Sequence, residues 1–170
     1  MAANVETMFY TRTKPWHGLG TMVEEAPTSG KALELAGLDW RVVQKNLVTE
    51  EGITVPGFKA NLRETDNQVL GVVTDRYKVV QNETAGSLQN GRRTWILAKL
   101  PTRYIISGDE VTPYLVFMNS HDGSGSIKAA MTPIRVVCQN TLNLALSTAK
   151  RCWSTNHTGD IKGKMEDARY

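Results

Sequence analysis

The sequence has little of several features that mark particular classes of protein. It contains only two cysteines in 170 residues, Cys138 and Cys152, and they form no CxxC motif. This excludes a zinc-ribbon pattern and a secreted disulfide framework. No run approaches the roughly 18 apolar residues that span a bilayer, and the first ten residues do not resemble a signal peptide. We therefore expect a cytoplasmic protein with no membrane segment.

An excess of charge of one sign is also missing. The chain carries 20 Lys and Arg against 17 Asp and Glu, a formal net charge of +3. This balance excludes a histone-like polycation, so any nucleic-acid surface has to arise from local clusters of basic residues.

Motifs of the common enzymes are absent as well. The sequence has no GxxxxGK[ST] loop and no HExxH motif. His121 next to Asp122 is open to two interpretations, acid–base or metal chemistry and simple turn geometry. Because no nucleophile, base and orienting group can be named together, we expect no catalytic activity, no metal and no cofactor.

Periodicity predicts a single α+β domain over residues 1–170. A polar arm, 1–27, precedes the core, 28–149, and a helical tail, 150–170. The core begins with a short helix capped by Thr28 and stopped by Gly37. Strand patterns follow over WRVVQKNLV, ITVPGFKANLR and VLGVVTDRYKVVQN, and then hairpins at Asn90-Gly91 and Asp122-Gly123.

A helical pattern follows Pro133. Its apolar positions recur every three or four residues, at Cys138, Leu142, Ala145, Leu146 and Ala149. Gln139, Asn143 and Lys150 are predicted to lie nearer solvent. The predicted architecture is an antiparallel β-meander sheet with a short N-terminal helix and this amphipathic helix packed on one face.

One glycine-rich motif stands near the N-terminus, KPWHGLGT. Trp16 and His17 precede Gly18 and Gly20, which tolerate positive φ or a close approach of another surface. His17 is a candidate for base stacking or proton transfer. The favoured interpretation is structural, with the motif anchoring the N-terminal arm.

Basic residues alternate with aromatic ones in the middle of the chain, a pattern typical of proteins that hold single strands by stacking and phosphate neutralisation. The candidates for nucleic-acid binding are Arg76, Tyr77, Arg92, Arg93, Trp95, Arg103, Tyr104 and Arg135. Arg135 precedes a predicted helix start, where phosphate binds. The alternative is that the aromatic residues pack the sheet while the arginines are solvated.

Several ordered strings cover nearly the whole chain: KPWHGLGT, GLDWRV, LGVVTDRYKVVQN, AGSLQNGRR, PYLVFMNSHDGSG and MTPIRVVCQNTLNLAL. They resemble the phage/plasmid-like proteins of unknown function, as a shortened member that lacks a helix-forming segment after Asn82 and ends early at Tyr170. The order of meander and helix is also remotely similar to phage single-strand annealing proteins of the Erf and Redβ type. The resemblance implies a mobile-element protein.

Two functions follow as expectations. The first is a non-catalytic protein that binds or anneals single-stranded nucleic acid, and a homo-oligomer would favour annealing. The second is a protein–protein interaction module, such as a phage inhibitor of a host defence complex, which binds a host protein through an edge strand or an apolar face.

Overall fold

The fold is that of a computed structural model, which describes residues 5–11, 15, 18–23, 28–82, 86–88, 91–100, 103–149 and 151–167. In chain order the elements are β1 (Val5–Thr11), β2 (Thr21–Val23), α1 (Ser29–Leu35), β3 (Val42–Val48), β4 (Thr54–Arg63), β5 (Val69–Thr74), β6 (Gly86–Leu88), β7 (Arg93–Lys99), β8 (Tyr104–Ile106), β9 (Asp109–Val111), β10 (Tyr114–Ser120), β11 (Ile127–Thr132), α2 (Gln139–Thr148), β12 (Arg151–Thr155) and α3 (Ile161–Asp167). No helix in these ranges is long and apolar enough to span a membrane.

Within the described ranges the strands form three sheets. A seven-stranded sheet has the order β12-β11-β10-β7-β6-β1-β2, a three-stranded sheet the order β3-β4-β5, and β8 pairs with β9 in a separate ribbon. All neighbours are antiparallel except β1 and β2. The predicted α+β class is therefore confirmed, and β3 to β5 form a true meander.

Local signals in the sequence account for several of these elements. The Thr28 side chain accepts a hydrogen bond from the Lys31 amide and caps α1, as predicted. The Asn90-Gly91 signal falls between β6 and β7, which pair antiparallel, and the Asp122-Gly123 signal between β10 and β11, which do the same.

The main core lies between one face of the seven-stranded sheet and α2. Trp95, Val116 and Ala130 from three neighbouring strands meet Leu142 and Ala145 of the helix. Leu142 and Ala145 are fully buried, as the helical periodicity predicted. On the opposite face, α1 contacts β1: Phe9, which points away from the Met8 side, packs in a second cluster with Leu33 and Ala36.

Three sequence predictions need correction. The arm 1–27 contains β1, which joins the sheet, and the tail 150–170 begins with β12 and is helical only in α3, Ile161–Asp167. Gln139 is buried rather than near solvent, and its amide donates to Asn143. Arg151–Thr155 is short, so a strand there is easily missed beside a longer helical pattern.

The third strand of the meander ends earlier than its pattern predicted. A turn at 75–76 closes with a hydrogen bond from the Tyr77 amide to the Thr74 carbonyl. The following segment, 77–82, is not a strand and runs between the two larger sheets. The Asn119 side-chain amide donates to the Val80 carbonyl, and the Lys78 amide donates to the His157 carbonyl. The Gln81 side chain bonds the backbone amide and carbonyl of Val42.

The three-stranded sheet, β3-β4-β5, docks against the loop that joins β10 and β11. We call it the small sheet. Gly71 in β5 lies so close to this loop that an added Cβ would stand 2.5 Å from the Asp122 Cα. Contacts this short are forbidden, so a residue without a side chain is required at the docking surface.

Substitution Gly71→Ala should therefore force the two sheets apart. We expect a loss of about 1–3 kcal/mol in the free energy of unfolding, measured by urea denaturation. Gly30→Ala is the matched control, because its Cβ meets no atom within 4 Å and alanine favours the helix. Equal stabilities of the Gly71→Ala variant and the wild type would contradict the tight docking.

Candidate functional site

Gly20 of the KPWHGLGT motif packs against β1, whereas Trp16 and His17 lie outside the described residues. Gly18 and Gly20 both have positive φ, 72° and 102°. A Cβ at Gly20 would come within 2.9 Å of the Met8 carbonyl oxygen. The contact of Gly20 with β1 is of the kind that the structural interpretation of the motif expects, and the roles of Trp16 and His17 stay predictions.

The aromatic residues of the predicted nucleic-acid set do not share one surface. Tyr77 and Trp95 are only 7% and 3% exposed, so their rings are not open to a base. Tyr104 is 49% exposed on the β8–β9 ribbon. For Tyr77 and Trp95, the structure agrees with the alternative interpretation, in which aromatic rings pack in the interior of the protein.

The predicted arginines are distributed over different elements. Arg76 lies in the turn after β5, and Arg135 precedes α2. Arg103 pairs with Glu110 across the ribbon at 2.6 Å. At the start of β7, Arg93 donates to the Ser124 hydroxyl at 3.2 Å, while the side chain of Arg92 is exposed. The sequence order of these residues therefore does not translate into a single basic stripe.

A buried polar cluster, which sequence reasoning missed, joins the two larger sheets. At its centre is His121, fully buried, whose Nε2 lies 2.8 Å from Asn82 Oδ1. The Asn82 amide nitrogen donates to the Leu38 and Trp40 carbonyls. Because Oδ1 must then be the acceptor, the hydrogen of His121 is on Nε2. Its Nδ1 has no partner among the described residues.

A second buried histidine lies in the same cluster. His157 Nδ1 is 3.1 Å from the Lys78 carbonyl, so this nitrogen donates and Nε2 carries the lone pair. The ring stacks on Tyr77 with centroids 4.4 Å apart. The Tyr77 hydroxyl donates to the Ser120 carbonyl. Both histidines are thus neutral and fixed in one tautomer.

Burial decides the electrostatics of this cluster. It lowers the pKa of His121 to about 4, assisted by His157 and opposed by Asp122. It also lowers the pKa of His157 and, with the Asp122 charge, raises that of Tyr77. For Asp122 burial acts against ionisation, but hydrogen bonds from Ser120 and Ser124 outweigh it and its pKa falls. At neutral pH the histidines are therefore uncharged and Asp122 is ionised.

Cross-strand register identifies a second feature, on the face of the seven-stranded sheet opposite α2. Residues directly opposite on neighbouring strands share a face, so β7, β10, β11 and β12 present three successive rows. The first row is buried: Thr94, Asn119, Ile127 and Thr155. The second is half-buried: Ile96, Phe117, Ala129 and Trp153. The third is exposed: Ala98, Leu115, Met131 and Arg151.

The cause of this gradient is the segment 77–82. Asn119 of the first row donates to the Val80 carbonyl at 2.9 Å, so the segment crosses over that row. The second and third rows lie farther along the strands from Asn119. We call these outer two rows the apolar shelf; seven of its eight side chains are apolar, and Arg151 is the exception.

The signal for this shelf was present in the sequence. In β7 and β10 apolar residues occupy both alternating sets of positions, a pattern typical of strands that are covered on both faces. Helix α2 covers one face of these strands, whereas Ala98 and Leu115 on the other face are exposed.

A groove of about 410 Å³ adjoins the shelf at β12. Trp153, Ser154, Thr155 and Asn156 line one wall, and Thr158 and Lys164 line the other. In the described part of the chain, no three histidine, cysteine, aspartate or glutamate side chains are placed to hold a metal ion.

Comparison with known proteins finds a family match over residues 82–170. The model of the Domain of unknown function (DUF932) matches residues 82–170, so the chain belongs to that family. The matched residues include the shelf and the groove. Searches of curated proteins and of solved structures found no match.

The neutral histidines make stability depend on pH. Because burial lowers their pKa relative to an unfolded chain, the stability that they contribute is complete above about pH 6.5 and is lost as the pH falls toward 4. For His121 this amounts to about 3 kcal/mol.

The variant His121→Gln retains a donor for Asn82 but has no group that titrates in this range. We expect it to be less stable than the wild type at pH 7.5 and to lose less stability between pH 6.5 and 4.5, measured by urea denaturation. The same pH slope in both proteins would show that His121 is not the titrating group.

Proposed function

We propose that this chain is a non-catalytic, cytoplasmic protein of a phage or plasmid that binds another protein through the apolar shelf. The observation that carries the proposal is the gradient across the sheet, in which Leu115 and Met131 remain 39% and 38% exposed beside half-buried Phe117 and Trp153. Contiguous apolar surface of this kind marks interaction sites, whereas single exposed apolar residues do not.

The composition of the shelf also favours a protein partner. Aromatic residues and methionine are enriched in the centres of protein interfaces, and the shelf contains Phe117, Trp153 and Met131. Its one charged residue, Arg151, lies at the corner on the edge strand, where a polar rim is expected.

What supports a binding role over a catalytic one is the burial of the polar cluster. The two histidines whose rings have an unpartnered nitrogen in the described structure are 0% and 4% exposed. A substrate therefore has no access to them without opening of the fold, and their hydrogen bonds serve to join the sheets.

A second candidate function is the binding of single-stranded nucleic acid. The observation that favours it is half-buried Trp153, with basic Arg151 on the same strand and Lys164 on the far wall of the groove. An aromatic ring next to basic groups can stack on a base while phosphates are neutralised. This arrangement replaces Tyr77 and Trp95, whose rings are buried.

The protein-binding proposal predicts that charge on the shelf abolishes partner capture without unfolding the protein. We expect Leu115→Glu combined with Met131→Glu to lose the partner retained by the wild type from a nuclease-treated bacterial lysate, because a carboxylate would be buried at the interface.

The matched control is Ile105→Glu, which places the same charge at an apolar residue that is 79% exposed on the β8–β9 ribbon. Equal capture by wild type and shelf variant would contradict the proposal. Mass in solution shows whether the captured partner is a second copy of the chain.

The nucleic-acid candidate predicts salt-dependent binding of single-stranded DNA. In fluorescence anisotropy with an oligothymidine, we expect Trp153→Ala to weaken binding by about 1–3 kcal/mol and Arg151→Ala to reduce the salt dependence. If wild-type protein shows no binding at low salt, the nucleic-acid candidate is wrong.

A further inference from the structure

The groove beside β12 runs along the edge of a sheet. Four consecutive residues, 153–156, line it. Successive side chains of a strand point to opposite faces of the sheet. Residues Trp153 to Thr155 of β12 therefore share no face, and what they have in common along the groove is the edge of the strand. The far wall is formed by Thr158 and by Lys164 of α3, which leaves a slot between strand and helix.

The edge of β12 has unused capacity for hydrogen bonding. In the described residues β12 pairs on one side only, with β11, from Ile127–Thr155 to Met131–Arg151. In an antiparallel ladder, alternate residues direct their N–H and C=O groups away from the neighbouring strand. Such an edge is a template for one more strand.

The charge of the residues that line the slot indicates which charge a bound segment should carry. None of the six lining residues is acidic, and Lys164 is exposed. No described carboxylate forms an ion pair with Lys164. Arg151 adds a second positive charge at the start of the same strand. An extended segment with a carboxylate side chain is complementary to this slot in both hydrogen bonding and charge.

We propose that the partner protein inserts an extended segment between β12 and α3, paired with β12 as an eighth strand and with a carboxylate on Lys164. This inference rests on the protein-binding function proposed above and names the form of its partner. Every second residue of the added strand would lie next to Trp153 and Arg151, on the side of the shelf. The added strand thus widens the apolar shelf, and one partner occupies both surfaces.

A displayed library of random twelve-residue peptides tests the inference with ligands of known sequence. We expect the selected peptides to alternate apolar residues with others and to contain an aspartate or glutamate. Deuterium exchange at the β12 amides should slow when such a peptide binds. Selected peptides without a carboxylate, or unchanged exchange at β12, would overturn the inference.

Two further measurements isolate the strand and the charge. N-methylation of alternate residues of a selected peptide should abolish binding in one register and spare it in the other, because only one set of amides pairs with β12. Lys164→Glu should weaken binding about tenfold or more. Lys162→Glu is the matched control, since Lys162 is exposed on the same helix and does not line the groove.

The outcomes separate this inference from the proposed function. If the shelf variant loses the captured protein partner while Lys164→Glu and N-methylation have no effect, the shelf binds a protein but strand addition is wrong. If neither surface affects capture of the partner, both proposals fail.

Discussion

The docking of the small sheet on the loop between β10 and β11 is the constraint on which the rest of the structure depends. Gly71 permits the approach, and the Asn61 side chain secures it by donating to the His121 carbonyl at 2.7 Å. Once the sheets are joined, the chain leaving β5 has to run between them. Segment 77–82 follows this route and covers one row of the large sheet. The position of the joint therefore decides how much of that sheet face remains open.

The joint between the two sheets is the buried polar cluster, in which most groups have a hydrogen-bond partner. Asn82 connects His121 with the Leu38 and Trp40 carbonyls, and Tyr77 connects His157 with Ser120. Buried groups of this kind are costly unless they are paired, so they favour one arrangement of the sheets over others. The two rows of the shelf are then held in one arrangement, and such preorganisation lowers the entropic cost of binding a partner.

Much of the fold was accessible from the sequence because it depends on local signals. The Thr28 cap, the Asp122-Gly123 turn and the stripe through Leu142 and Ala145 all act within a few residues. The polar joint was not accessible, since it links positions 39 to 79 residues apart, such as His121 with Asn82 and His157 with Lys78. Tyr77 and Trp95 illustrate the same limit: spacing suggested a stacking surface, whereas long-range packing buries both rings.

The central claim, that the shelf is the binding surface, is tested most directly by the oxidation rates of methionines with and without a bound partner. Met131 lies on the shelf and Met22 lies on β2, with exposures of 38% and 58%. Both should be oxidised by hydrogen peroxide in the free protein. In the complex, the account predicts strong protection of Met131 and an unchanged rate for Met22. Oxidation of Met131 at the same rate in the free protein and the complex would contradict it.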